Sequence, residues 1–187
     1  MRPALKIAFL FSFIWCLIKM IFMLFSIFQG SIFFTGLLNN LFLLVSISLG
    51  LYLEKRKEGF TQGTALSDIK NGMIAGAPYA AIVSLFMYFY YADINPNFVD
   101  TKISERMDIV YNGMSRETYV DSLKLQNPNF EVLSNEEIYS IIKEDTQSAY
   151  SPKSLLTFSL LGLLVLGFTY AIFITIIFRK ILFRNLN

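Results

Sequence analysis

The sequence predicts an all-α, polytopic membrane protein with four transmembrane helices and a helical loop between the third and the fourth. Three observations predict it. The chain of 187 residues is 55% hydrophobic and only 16% charged, against roughly 25% charged in ordinary soluble domains. Its apolar residues gather in four runs, each near the roughly 20 residues that cross a bilayer core. Lysine and arginine are unevenly shared between the segments that join those runs, which is how bacterial membrane proteins encode their orientation.

The runs divide the chain into residues 1–92, with spans at about 5–28, 33–53 and 72–91, a polar loop at 93–153, and a last span with a basic tail at 154–187. The first run is too long for a signal peptide. Phe, Met and Leu stand where cleavage needs small residues, so an uncleaved span is expected. Gln29, Gly30 and Ser31 make a short turn into the second span. That span ends at the charge cluster Glu54-Lys55-Arg56-Lys57-Glu58-Gly59. Residues 64–71 then read as a short amphipathic helix feeding the third span, with Thr64 as its cap and Leu66, Ile69 and Met73 on one face.

Arg2, Lys6, Lys55, Arg56, Lys57, Lys70, Arg179, Lys180 and Arg184 all fall on one side of a four-span arrangement. The opposite side has six basic residues, all in the long loop and diluted there by eleven carboxylates. The positive-inside rule makes the first side cytoplasmic. Both termini are then cytoplasmic, and the loop lies outside.

Within the loop three helices are legible. Asn95-Pro96 is a helix start, and Val99, Ile103, Met107 and Val110 form an apolar stripe ending near Gly113, a candidate C′ residue. Ser115 is positioned to cap a second helix carrying Val120 and Leu123. Residues 126–133 contain Asn127-Pro128-Asn129 and read as a connector. Ser134 and Glu137 have capping-box spacing for a third helix, with Ile138, Ile141 and Ile142 as its stripe. Ser151-Pro152 repeats the cap-plus-proline signal before the fourth span.

The order of these features resembles a family. Asp93-Ile94-Asn95-Pro96-Asn97-Phe98 follows the third span directly, Gly113-Met114-Ser115-Arg116-Glu117 lies in the loop, and a fourth span with Gly162 and Gly167 ends in Arg179-Lys180. Together they look like the four-helix inner-membrane proteins of Bacteroidetes grouped as domain-of-unknown-function family four-one-nine-nine. The segment after Leu125 is longer than that pattern. The resemblance implies a Gram-negative inner membrane and a periplasmic loop. It implies no activity, substrate or catalytic residue.

The chain has no histidine and a single cysteine, Cys16. Intrachain disulfides, Cys/His zinc sites, Ser–His nucleophiles and histidine relays are thereby excluded. No residue is assigned as catalytic, cofactor-binding or metal-ligating. The loop carboxylates lack calcium-loop spacing, and no nucleic-acid module is present.

Two polar or small-residue features inside the spans stand out. Lys19 is an intramembrane charge, expected at the depth of Asn39 and Asn40 and bonded to one of their amides. Gly72, Gly76, Ala80 and Ser84 place a small residue at every fourth position of the third span. Such a stripe lets helices approach closely, within the chain or between copies. Pro78 on the same span is expected to kink it.

The expected function is that of a non-enzymatic accessory or partner-binding subunit. Tyr119, Tyr139 and Tyr150 of the loop form its candidate partner surface, and membrane lipids, a membrane or periplasmic protein, or a second copy are its partners. A small transporter or flippase-like component using Lys19 and the Pro78 kink is the alternative. A membrane enzyme acting on a lipid-linked substrate is the third reading.

Overall fold

The computed structural model describes residues 1–27, 32–60 and 62–182. The turn expected at Gln29–Ser31 and the tail with Arg184 lie outside the described residues. Every element among the described residues is helical: α1 Pro3–Leu24, α2 Ile32–Glu58, α3 Ala65–Phe89, α4 Pro96–Met114, α5 Glu117–Gln126, α6 Asn135–Tyr150 and α7 Pro152–Ile177. A short 3-10 turn covers Pro128–Phe130, and π-helical turns extend α3 through Ile94 and α7 through Leu182. Four of the helices are long and apolar enough to cross a membrane, so this is a multi-pass membrane protein.

The chain forms two compact units, one of Met1–Phe86 with Thr157–Asn187, the other of Met87–Leu156. In the first unit α2 sets large side chains against small residues of its neighbours. Leu43, Ile47 and Leu51 of α2 are fully buried. Buried on the neighbouring helices are Ala4, Ala8 and Ser12 of α1, the stripe of α3, and Gly167, Ala171 and Thr175 of α7. Ile47 is the central knob: a Cβ added to Gly72 or Gly76 would lie 3.3 Å or 3.1 Å from it, and one on Gly167 3.7 Å. Of the stripe, Gly72 and Gly76 lie against Ile47 of α2 and Gly72 also against Ala171 of α7, and Ala80 and Ser84 are buried. Without a hydrophobic drive between helices in lipid, this close van der Waals fit is what holds them together.

The contacts fix an up-down-up-down order. Phe11 meets Phe42 at 5.8 Å and Phe22 meets Phe34 at 6.4 Å, so α1 and α2 are antiparallel. Trp15 of α1 meets Phe86 of α3 edge to face at 6.0 Å. At Gly50 three helices converge: an added Cβ would lie 2.6 Å from Ala75 of α3 and 3.4 Å from Ala4 of α1. The opposite faces are apolar and exposed, at Phe9, Phe13, Leu17 and Ile21 on α1 and at Phe158, Leu161, Val165 and Phe168 on α7. Their spacing of three and four residues makes one stripe per helix, suited to lipid.

Two boundaries differ from expectation. The second span runs on through the charge cluster to Glu58, because Glu54 and Lys55 point inward and are buried. The segment 64–71 is no separate helix but the first two turns of α3. Thr64 caps it as expected, accepting from the Ser67 N–H at 3.2 Å.

The second unit is built on α4 and α6, which pack together. Val99, Met107 and Val110 of α4 and Ile138 of α6 are buried, with Val120 and Phe130 joining them from α5 and the 3-10 turn. Ser134 and Glu137 form the full capping box, and Ser151 caps α7 by accepting from the Ser154 N–H. Two other caps are not made. Asn95 sends its side-chain amide to the Tyr90 hydroxyl at 3.4 Å. Ser115 terminates α4, and α5 starts after Arg116 with no side-chain cap. Gly113 lies inside α4 rather than after it, and the Tyr119 ring sits where its Cβ would be, 2.7 Å from that position.

Candidate functional site

The densest polar chemistry lies at the end of the first unit where α2 meets α3. Lys55 belongs to the last turn of α2 and Asp68 to the first turn of α3, and both side chains are fully buried. Lys55 Nζ is 2.5 Å from Asp68 Oδ1. Arg179, in the π-helical turn after α7, donates from Nε to Asp68 Oδ2 at 2.6 Å. One carboxylate thus serves two cations from two other helices.

The same cations hold the α2–α3 loop. Lys55 Nζ donates to the Gln62 carbonyl, and Arg179 Nη2 donates to the Gly63 carbonyl at 2.8 Å. The loop can present these carbonyls inward because Gly59 (φ +105°) and Gly63 (φ +80°) take left-handed conformations that other residues rarely adopt. Glu54, also buried, accepts from the Ala4 N–H at the start of α1 at 3.2 Å. Asn71 donates to Glu58 Oε2 at 3.3 Å. Every helix of the bundle is therefore tied at this end by a charged group.

What the cluster can do chemically is limited. Its carboxylate is engaged by two cations, Lys55 and Arg179. Its evident work is mechanical: it closes one end of the bundle, much as caps close a helix. No family model, curated protein or solved structure matches the chain.

The intramembrane polar residues are distributed rather than gathered. The α1–α2 register set by Phe11–Phe42 and Phe22–Phe34 puts Lys19 opposite Gly36, about one turn from Asn39 and Asn40. Lys19 is half-buried. The Asn39 amide oxygen accepts from the Tyr79 hydroxyl of α3 at 2.7 Å, and Tyr79 is fully buried. Asn40 turns to a groove of about 470 Å³ between α2 and α7, beside Leu37, Leu41, Leu44 and Tyr170. A tyrosine partner for an intramembrane asparagine has no local signature, since it depends on which helices become neighbours.

In the second unit Tyr139 of α6 meets Tyr111 of α4 edge to face at 6.2 Å. Tyr111 is 67% exposed. Tyr139, Tyr119 and Tyr150 are half-buried, Tyr119 by its seat on Gly113. Leu125 and Val132 are the most exposed apolar side chains of the unit. The carboxylates do not converge: among the described residues no group of three or more is placed to hold a metal ion.

Proposed function

We propose that the protein is a non-enzymatic accessory subunit of a cell inner membrane that binds a partner through its periplasmic helical unit. In this reading both termini and the Lys55–Asp68–Arg179 cluster are cytoplasmic, and residues 93–153 are periplasmic. Membership of family four-one-nine-nine belongs to the same proposal and rests on the motifs around Asn95 and Gly113.

The observation that carries the reading is the Tyr111–Tyr139 pair. An exposed tyrosine held by an edge-to-face contact across two helices is a rigid, amphipathic surface group. Such groups bind at low entropic cost and are enriched at interfaces. The interior of the first unit supports a binding role over transport. It is filled by the large side chains of Leu43, Ile47, Leu51, Tyr79 and Val83, and the hydroxyls of Ser46, Ser84 and Thr175 are buried in the same unit.

Photo-crosslinkers at Tyr111, Tyr139, Tyr119 and Tyr150 test it in cells. The expected result is one discrete protein adduct at Tyr111 and Tyr139. Adducts only between copies of the chain would make the surface a homo-oligomer contact, and no adduct at any position would remove the reading. Orientation is tested separately in a Cys16→Ser background. An impermeant thiol reagent should label a cysteine placed at Ser122 in whole cells and spare one placed at Gly59.

A further inference from the structure

A second groove opens on the lipid-facing side of the first unit, between the start of α1 and the first half of α3. It has a volume of about 520 Å³ and is lined by Leu5, Met73, Ile74, Ala77 and Pro78, with Arg2 and Lys70 at its mouth. The two cations are exposed, and neither forms an ion pair among the described residues. The carboxylates of this end are engaged elsewhere: Asp68 with Lys55 and Arg179, Glu54 with the Ala4 N–H, and Glu58 with Asn71. The mouth therefore carries two free positive charges, and nothing in the lining is acidic.

The polarity changes along the groove as it does along a lipid. Lys70 lies at the edge of the apolar part of α3, and side chains on a helix lean toward its N-terminus, here away from the apolar region. From Lys70 to Pro78 the helix rises about 12 Å, all of it apolar on this face. Ala77 and Pro78 keep the floor low.

We infer that this groove holds one anionic glycerophospholipid from the leaflet at the basic end of the bundle. Its phosphate sits between Arg2 and Lys70, and the upper part of one acyl chain lies along Met73, Ile74, Ala77 and Pro78. Charge complementarity selects the headgroup, since each basic side chain near an anionic lipid surface favours binding by about 1 kcal/mol. Two such contacts correspond to about a thirtyfold preference over a zwitterionic lipid of the same chain length.

Native mass spectrometry of the full chain released from detergent tests this with phosphatidylglycerol and phosphatidylcholine of matched chains. One phosphatidylglycerol per chain should be retained under activation that strips phosphatidylcholine. The Arg2→Gln/Lys70→Gln variant should lose that preference about thirtyfold, with its melting temperature unchanged. The Arg56→Gln/Lys57→Gln variant removes the same charge from exposed positions away from the groove and should keep the preference. Equal retention of the two lipids by the wild type would overturn the inference, as would equal loss in the two variants. Release of the bound lipid by millimolar inorganic phosphate would show a free-anion site and overturn it too. So would a dimer abolished by Arg2→Gln/Lys70→Gln, because a second copy would then be the occupant.

Discussion

Arg179 and Asp68 are 111 residues apart in the chain, and their side chains meet at 2.6 Å. The contact joins the end of the last membrane helix to the start of the third and adds a second cation to a carboxylate already paired with buried Lys55. Burying ions costs several kcal/mol each, and the cost is offset only when all partners are present. Asp68→Asn should therefore destabilise the bundle by about 3–5 kcal/mol, since it leaves Lys55 buried without a counter-charge. Arg179→Lys, which keeps a charge on a partly exposed side chain, should cost far less. Thermal melts of the purified protein in a mild detergent will check the order. Equal melting of Asp68→Asn and wild type would show that the cluster does not hold the bundle.

Glycines of the second helix are predicted to differ sharply. Gly50→Ala puts a methyl group 2.6 Å from Ala75 Cβ, where three helices meet. Overpacking of this kind costs about 1–3 kcal/mol. Gly36→Ala meets nothing within 4 Å and should be neutral or slightly stabilising, because alanine is the better helix former. The same melts distinguish them, and a Gly36→Ala loss as large as that of Gly50→Ala would refute the packing assignment.

Tyr79→Phe removes the hydroxyl that reaches the Asn39 amide at 2.7 Å. Hydrogen bonds between membrane helices average about 0.6 kcal/mol, so the expected loss is of that order and below about 2 kcal/mol. A double-mutant cycle with Asn39→Ala isolates it. A coupling energy indistinguishable from zero would mean that the pair contributes nothing.

The capping box of α6 predicts a local pH response. The Ser134 backbone N–H, and secondarily its hydroxyl, hold the Glu137 carboxyl below its ordinary value. A carboxyl depressed on folding contributes stability above its unfolded pKa and loses it as pH falls through the folded one. Amide protection at the first turn of α6 should fall on acidification through that window. In Glu137→Gln the protection should be independent of pH over the same range. An identical pH response in both proteins would assign it to another group.

The helical class and the four spans were legible in the sequence because they depend on local composition and length. Residues 5–28 and 33–53 announce spans whatever they pack against. Pro96, the Ser134–Glu137 box and Ser151-Pro152 likewise announce helix starts, since a cap needs only its own next three residues. The stripe Gly72, Gly76, Ala80 and Ser84 was legible as a close-approach face. Its partners, Ile47 and Ala171, were not.

What only the tertiary structure decided was every pairing between helices. The segment Glu54–Glu58 reads as a solvated charge cluster, yet Glu54 and Lys55 face inward because α1 and α3 bring an N–H and a carboxylate to meet them. Asp68 looks like one acid on an amphipathic turn until α7 delivers Arg179. Asn39 and Asn40 are adjacent in sequence but about 100° apart around a helix. One therefore faces Tyr79 and the other the α2–α7 groove. Charge and hydropathy say which residues can enter a membrane. Which of them may keep a charge or an amide there depends on the partner that another helix supplies, and that partner lies up to 111 residues away.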